Sequence, residues 1–289
     1  MPKTKKLSTL VEDIYACISV LGRGEAIEVS DKELDRFGNS MKQALKDWLT
    51  PRESRKPSLR MSNIGRPERQ LWYDMNSKRE PKIIPTPVLI KFLFGHLTEP
   101  LLLFFAELTG HKVTDIQKEV VVNGVKGHMD CKIDGEVVDI KTASGYSFKK
   151  FKDGTLIEDD PFGYIPQLAG YEHGEGTHNG GLFVLNKEAG DITLFQPDEL
   201  DKPNIPVKIE RLKEILKAKN PPDFCYSPVP EGSSGNFKLP RQCKYCSHKF
   251  ECHKDSNAGR GLRSFKYSKG MTYLTTVVRE PKVEEVLDG

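Results

Sequence analysis

The sequence lacks several features that would each have indicated a particular class of protein. Its 44 Lys and Arg face 41 Asp and Glu, and the resulting formal net charge of +3 excludes a histone-like basic coat. No apolar run reaches the roughly 18 uncharged residues of a membrane-spanning helix, and the first ten residues lack the apolar stretch of a signal peptide. There are no internal repeats and no Gly-x-x-x-x-Gly-Lys-Ser/Thr motif. We therefore expect a cytoplasmic globular protein without helicase motifs or membrane partners.

Cysteine is scarce and unevenly placed. Cys17 and Cys131 stand alone, whereas the other four of the six fall between positions 225 and 252. Without a secretory signal, such a cluster indicates metal ligands sooner than disulfides. We predict a tetrahedral four-thiolate site, and a disulfide pair or four unrelated thiols are the alternatives. The four candidate ligands are Cys225, Cys243, Cys246 and Cys252.

Shifts in composition divide the chain into four parts. A helical N-terminal section with a Pro- and Ser-containing linker occupies 1–58, and a core follows at 59–220. The cysteine segment is 221–258, and 259–289 is a basic, then acidic, tail that we expect to be mobile at its end.

Within the core the periodicity changes from helical to strand-like and back. The most apolar segment, 85–110, predicts a buried helix with a kink or restart at Pro100. Asn123-Gly124 and Asp134-Gly135 are two-residue hairpin turns between β-branched residues. The remaining expectations are a three-stranded meander at 116–122, 125–133 and 136–142, helices near 161–173 and 205–219, and strands near 181–186 and 192–195.

The second hairpin places two carboxylates opposite each other. Around the Asp134-Gly135 turn, paired residues sum to 269, so Asp130 is expected opposite Asp139 and His128 opposite Lys141, all on one face. Two like charges directly opposite each other repel, so this pair of carboxylates predicts a bound cation. Carboxylate oxygens are hard ligands, which suit Mg²⁺ or Mn²⁺. The alternative is a solvated, charged face with no role.

Other segments supply residues of the same kind. Glu99 lies in the apolar helix, where an acidic side chain needs a partner. Gln167 and Tyr171 are spaced i and i+4, so they share one face of the following helix.

Together these motifs resemble the PD-(D/E)XK nuclease core, and Gly127-His-Met-Asp130 and Gln167-x-x-x-Tyr171 are similar to its RecB-like branch. The resemblance covers about residues 60–195 and implies a restriction-endonuclease-like α/β fold: a helix, a three-stranded antiparallel meander, a helix and a strand, with a mixed central sheet flanked by helices. It implies catalytic roles for Glu99, Asp130, Asp139, Lys141, Gln167 and Tyr171. Glu99, Asp130, Asp139 and the Ile140 carbonyl would hold the metal, with His96 as a further candidate ligand.

The same resemblance implies a function and partners. We expect Mg²⁺-dependent hydrolysis of DNA, most simply from ends, as in phage-encoded exonucleases, in replication, recombination or degradation. A structure-specific endonuclease and a non-catalytic, zinc-bearing nucleic-acid-binding module are the alternatives. A homo-oligomer or a recombination partner protein would fit this class. Candidate DNA contacts are Arg60, Arg66, Arg69, Trp72, Lys149 and Lys150.

The cysteine spacing adds a second resemblance. C-x2-C-x5-C near the C-terminus is similar to the iron–sulfur staple of CRISPR-associated RecB-like exonucleases and AddB-type nucleases. There the fourth ligand precedes the nuclease core, whereas the equivalent stretch here, Ile64 to Trp72, contains no Cys. Cys225 is the better fourth ligand, which leaves Zn²⁺ and a [4Fe–4S] cluster both open as the structural group.

Overall fold

The chain forms a mixed α/β structure with a helical N-terminal part, as the sequence predicted. The structure is a computed structural model and describes residues 5–50, 57–77 and 84–286. The predicted linker at 51–58 falls mostly outside them. The main helices are α1 (Leu10–Ser19), α2 (Asp31–Leu49), α3 (Glu68–Asn76), α4 (Thr86–Leu108), α5 (Gly145–Lys152), α6 (Tyr164–Glu175) and α7 (Ile205–Lys217). The strands are β1 (Val113–Thr114), β2 (Glu119–Val122), β3 (Val125–His128), β4 (Cys131–Ile133), β5 (Glu136–Ala143), β6 (Gly181–Asn186), β7 (Ile192–Phe195), β8 (Val229–Pro230), β9 (Phe237–Lys238), β10 (Arg263–Tyr267), β11 (Gly270–Thr276) and β12 (Glu285–Val286).

The described residues group into two units. The first contains residues up to Gly65 and those from 84 to Leu212. The second contains residues 66–77, which include α3, together with 213–286.

The first unit is built on a five-stranded mixed sheet in the order β1-β4-β5-β6-β7. Strands β5 and β6 are parallel, with Asp139 opposite Leu182, and every other neighbouring pair is antiparallel. Strands β6 and β7 match the predicted segments 181–186 and 192–195.

The predicted three-stranded meander is interrupted at its centre. Strands β2 and β3 form a two-stranded sheet of their own, and Lys126 of β3 also makes an isolated parallel bridge with Arg60. The backbone leaves β3 at His128 before β4 begins at Cys131. The predicted sum of 269 holds around the Asp134-Gly135 turn, from Ile133 opposite Glu136 to Cys131 opposite Val138. His128, however, pairs with Glu119 rather than with Lys141, so that expectation was wrong.

The central sheet has helices on both faces. Helices α5 and α6 pack against β5 from one side. On the other side, α1 and the C-terminal half of α4 enclose an apolar cluster with the sheet, in which burial of each large side chain stabilises the fold by roughly 1.5–3 kcal/mol. The buried members of this cluster are Leu7, Leu10, Ile14, Leu102, Leu103, Ala106, Cys131, Ile133, Val138, Phe183 and Ile192.

Helix α4 differs from its prediction in two ways. It continues as one helix through Pro100, so of the expected kink or restart the restart does not occur. Its buried residues all lie in the second half, whereas Phe92 and Phe94 in the first half are about half exposed. Helix α2 packs along both halves: Trp48 donates its indole N–H to the Leu89 carbonyl at 3.1 Å, and the rings of Phe37 and Phe104 lie 4.7 Å apart. By length and composition alone, α4 is the one described helix that could cross a membrane, and 17% of its most apolar stretch of 18 residues is buried.

The second unit contains a separate five-stranded sheet in the order β12-β10-β11-β9-β8. Within the predicted C-terminal tail, residues 263–276 form an antiparallel hairpin with Gly270 at its turn. Arg263 holds this hairpin to the following segment through ion pairs with Glu280 and Glu285. The cysteines of this unit lie in and around short helical turns between β9 and β10 and in the segment before β8.

Candidate functional site

Asp139 lies at the centre of the candidate site. It is on β5, 1% exposed, and its side chain faces α6. Gln167 of α6 donates its amide N–H to Asp139 Oδ1 at 2.9 Å, and Lys141 Nζ lies 2.5 Å from Asp139 Oδ2. The structure therefore brings the predicted site residues Asp139, Lys141 and Gln167 together. Apart from the lysine ion pair, Oδ2 receives no hydrogen bond from the described residues.

Asp130 meets the same strand by an unexpected contact. The pairing of β4 with β5 ends at Cys131 and does not include Met129 or Asp130. The Ile140 N–H therefore donates to the side chain of Asp130, at 2.7 Å from Oδ2, instead of to a backbone carbonyl. Burial raises the pKa of Asp130 well above its usual range, and the charges of Asp139 and Glu99 raise it further, while Lys141 offsets part of this. Asp130 and Asp139 are thus held close enough to repel each other.

Glu99 completes the acidic set from α4. Its carboxylate accepts a hydrogen bond from Gln117 Nε2 at 2.7 Å. Burial raises the pKa of Glu99, the charge of Asp139 adds to the rise, and the Gln117 hydrogen bond opposes it. Gln117 was missed by sequence reasoning, because it lies in a turn with positive φ and carries no motif.

A groove of about 800 Å³ opens beside these residues. His96, Glu99 and Asp130 line one part of it, and residues of α2, including Gln43 and Asp47, line another. A ligand in this groove would contact two of the carboxylates directly.

Tyr171 is fully packed beneath the site. Its ring lies against Gly127, where an added Cβ would be 2.9 Å from the phenol oxygen and 2.4 Å from Met61 Cβ. Burial raises the pKa of Tyr171, as do the charges of Asp139 and Asp130. Glycine at 127 is therefore required for the close approach of α6 to β3.

Lys141 has an aromatic neighbour that the sequence did not indicate. Its ammonium lies 5.1 Å from the centre of the Tyr164 ring, within the range of a cation–π contact. Burial lowers the pKa of Lys141, but the charges of Asp139 and Asp130 outweigh this, so the pKa is raised.

The donor chemistry of the site suits a hard cation, although the side chains are not arranged as a finished metal site. Carboxylate oxygens and a backbone carbonyl are the ligands that Mg²⁺ prefers. Asp139 Oδ2 is buried, and the Lys141 ammonium is its one polar contact among the described residues. The charge of Asp139 raises the pKa of both Glu99 and Asp130, so positive charge is favoured here. Within the described ranges, no group of three His, Cys, Asp or Glu side chains is arranged to hold an ion. Lys141 supplies positive charge beside these carboxylates.

The predicted DNA-contact residues fall in different places. In the first unit, Arg60 donates to Ser58 Oγ, Lys149 is exposed, and Lys150 pairs with Asp159. In the second unit, Arg66 lies 3.7 Å from Asp74, and Trp72 Nε1 donates to the Ala218 carbonyl at 2.9 Å. Arg69 donates to Pro222 O and Cys252 Sγ, and its guanidinium lies 4.3 Å from the Phe224 ring centre.

The four clustered cysteines of the second unit are near one another. Burial raises the pKa of Cys243 to about 12, and the charges of Cys246, Cys225 and Cys252 contribute to the rise. Cys252 Sγ accepts from Arg69 Nε at 3.1 Å. All four are free thiols here, and, as for the carboxylates, the described residues include no three-ligand group. A bound zinc ion or iron–sulfur cluster stays a prediction.

No family model matches this sequence, and no curated protein matches it. Among solved structures, the chain is similar to SSO0001, with 17% identity and a TM-score of 0.39, covering 73% of this chain and 92% of that one. It is also similar to an alkaline exonuclease, LHK-Exo, from Laribacter hongkongensis, with 15% identity and a TM-score of 0.39 over 60% of this chain and 92% of that one. The structure of LHK-Exo in complex with dAMP gives 13% identity and a TM-score of 0.34 over 60% of this chain and 94% of that one. A likeness of this degree establishes neither family nor function.

Proposed function

We propose that this protein is a metal-dependent DNA nuclease of the PD-(D/E)XK type, in its RecB-like branch. The observation that carries the proposal is the arrangement around Asp139, which is 1% exposed, bonded to Gln167 and paired with Lys141. A solvated surface carboxylate, which was the alternative, could pair with a lysine but would not be almost fully buried, as Asp139 is. A buried acid that faces a lysine, with two further acids close by, is typical of a site that handles phosphate and a cation.

Mg²⁺ or Mn²⁺ would be held by the carboxylates of Glu99, Asp130 and Asp139 and by the Ile140 carbonyl. When bound, such an ion lowers the pKa of water and stabilises negative charge on a phosphate and its leaving oxygen. His96 lines the same groove and remains a candidate additional ligand.

The residues of the chain have separate tasks in this proposal. Gln167 fixes Asp139 by occupying Oδ1, so the carboxylate keeps one orientation. Lys141 supplies an ammonium that lies beside the carboxylates and can bind a phosphate oxygen or orient the attacking water. The Ile140 N–H fixes Asp130 in the same way that Gln167 fixes Asp139.

We further propose that cleavage starts at DNA ends, in recombination, replication or degradation of DNA. The support is the resemblance to phage-type exonucleases, which also suggests an oligomer or a recombination partner protein. Candidate backbone contacts near the site are Lys149 and Lys150 on α5.

One assay separates the candidate functions. End-labelled linear DNA and covalently closed circular DNA are incubated with the protein and millimolar Mg²⁺. An exonuclease degrades only the linear DNA, whereas a structure-specific endonuclease cuts a third substrate, circular DNA that carries a flap or a bubble. Binding without cleavage of any substrate, in Mg²⁺ and in Mn²⁺, would refute the nuclease proposal and favour a nucleic-acid-binding module.

A further inference from the structure

Three aromatic rings form a series from the core to solvent beside the candidate site. Phe151 is buried, Tyr164 is partly buried, and Phe162 is 61% exposed. The ring centres of Phe151 and Tyr164 are 5.9 Å apart, and those of Tyr164 and Phe162 are 5.5 Å apart with 24° between the ring planes. The series therefore ends in an aromatic ring that presents most of its area to water.

The middle ring connects this series to the candidate site. Tyr164 contacts the ammonium of Lys141, and that ammonium contacts Asp139. A phosphate bound near Lys141 would lie next to the aromatic series, within reach of the base on the same nucleotide or on its neighbour.

The loop that carries Phe162 is held in place. Asp160 accepts hydrogen bonds from the N–H groups of Gly163 and Ile165, both at 2.9 Å. Gly163 has φ of +74° and lies directly against Gly65, so its backbone cannot shift inward. A rigid aromatic surface binds a partner at a lower cost in conformational entropy than a mobile one.

The surroundings of the loop are basic as well as aromatic. The last turn of α5 carries three lysines, of which Lys149 and Lys152 are exposed. Lys150 pairs with Asp159 of the same loop, and its ammonium lies 5.9 Å from the ring centre of Tyr146, which is 60% exposed. Lysines interleaved with exposed aromatic rings are the features of surfaces that bind single-stranded nucleic acid.

We propose that Phe162 is the stacking surface for an unpaired base of the DNA strand whose phosphate lies at Lys141. The proposal rests on the nuclease function above and narrows its substrate to single-stranded DNA or the frayed end of a duplex. A base inside a duplex is already stacked on both sides and offers no free face to the ring. Stacking on any base also explains how the surface would act without reading sequence.

The first test needs no cleavage and therefore no active enzyme. Single-stranded DNA with one 5-iododeoxyuridine at successive positions is bound in EDTA, irradiated, and the crosslinked residue identified by mass spectrometry. Because this base crosslinks efficiently to an aromatic ring on which it stacks, we expect a crosslink to Phe162. The Phe162→Leu variant keeps a similar apolar volume without the ring and should lose the crosslink. A crosslink yield unchanged in Phe162→Leu, or none near residue 162 in the wild type, would overturn the proposal.

The second test uses cleavage. Single-stranded substrates with one abasic nucleotide are digested in Mg²⁺, and the products are resolved at single-nucleotide length. At one fixed distance from the abasic position, the wild type should digest the DNA roughly 10-fold more slowly, which appears as a pause, because the base that stacks is missing there. Phe162→Leu should digest every position at that slower rate and show no pause, and Phe162→Tyr should behave like the wild type.

A matched control is Ile157→Ala, because Ile157 is 47% exposed in the neighbouring turn but has no place in the ring series. It should keep the wild-type pause. A pause that persists in Phe162→Leu, or digestion without any pause in the wild type, would refute the stacking role while leaving the nuclease proposal intact. If the wild type degrades no DNA at all, the nuclease proposal fails, and the crosslinking result alone decides whether Phe162 stacks on a base.

Discussion

At the scale of single residues, Asp139 depends on Gln167. The carboxylate is almost fully buried, and one of its two oxygens is satisfied only by the Gln167 amide. A buried acceptor that loses its donor costs about 1–3 kcal/mol, and more when it is charged. Gln167 is therefore a positioning residue, because it acts on the reaction through Asp139.

We predict that Gln167→Leu lowers the rate of DNA cleavage by roughly 10-fold or more, because Asp139 loses its fixed orientation. Affinity for DNA, measured in EDTA, should stay near that of the wild type. Gln196→Leu is the matched control, since Gln196 also donates through its amide, to the Asn179 carbonyl, but is exposed. Equal cleavage rates in Gln167→Leu and the wild type would contradict the role given to Gln167.

Glu175 offers a test of electrostatics away from the site. Its carboxylate, at the end of α6, lies 2.8 Å from Lys118 Nζ and 2.6 Å from Lys132 Nζ. Burial alone would raise the pKa of Glu175, but the two lysines outweigh it, and the pKa is lowered. A lowered pKa in the folded protein means that the ionised form stabilises the fold above the unfolded pKa, and that this stabilisation is lost as pH falls through the folded pKa.

We therefore predict that Glu175→Gln lowers the free energy of unfolding by about 2 kcal/mol at pH 7. The difference from the wild type should shrink as the pH falls from 4.5, the ordinary value, through the lowered pKa. Urea unfolding at pH 7 and near pH 3 measures both. A difference that is as large at pH 3 as at pH 7 would show that the ion pairs are not its cause.

At the scale of elements, the position of α6 depends on two glycines that touch. A Cβ at Gly65 would lie 2.3 Å from Gly163 Cα and 2.5 Å from Gly163 O, and both are backbone atoms that cannot rotate away. Gly163 directly precedes α6, which carries Gln167 and Tyr171. This contact thus fixes the start of the helix that orients Asp139.

We predict that Gly65→Ala destabilises the protein by about 3 kcal/mol and also slows cleavage, because the start of α6 must move. Gly176→Ala is the control at the other end of α6, where φ is +66° but no atom lies within 4 Å. It should cost about 1 kcal/mol and leave the cleavage rate unchanged. Urea unfolding and a cleavage assay on both variants check this, and equal effects would contradict the argument.

Turn chemistry explains which elements could be predicted. Asp134 and Gly135 both have positive φ, so this turn fixes the register, and the pairing sum of 269 follows from local sequence alone. The break at Met129 and Asp130 could not be predicted, because it depends on the Gln117 N–H bonding to the Asp130 carbonyl from a distant turn. Asp130 and Asp139 were identified by strand alternation, and Glu99 by its place in an apolar helix. Gln117, Tyr164 and Phe162 contribute through tertiary contacts that leave no periodic signal.

At the scale of the whole molecule, the second unit brings residues 66–77 together with the cysteine segment far along the chain. Arg69 joins them by donating to Cys252 Sγ and to the Pro222 carbonyl. We therefore expect loss of the cysteine site to lower the stability of the second unit and to leave the cleavage reaction unchanged.

We predict that anaerobically purified protein carries either one zinc or about four irons per chain, bound by the clustered thiols. Cys246→Ser should lose the metal and expose residues 221–260 to protease, while Mg²⁺-dependent cleavage persists, because the Asp139 site lies in the first unit. Elemental analysis and limited proteolysis measure this. Four titratable thiols in a metal-free, protease-resistant protein would refute it.

The central claim is that the Asp139 and Lys141 pair is the core of a phosphodiester-cleaving site. The most direct measurement is cleavage of end-labelled linear DNA in Mg²⁺ by Asp139→Asn and Lys141→Ala, with DNA binding measured in parallel. Asp153→Asn and Lys187→Ala are matched controls, because both side chains are exposed in the same unit. We predict that the two site variants bind DNA but cleave it roughly 100-fold more slowly or not at all, and that the controls match the wild type. Cleavage at the wild-type rate by either site variant would contradict the account.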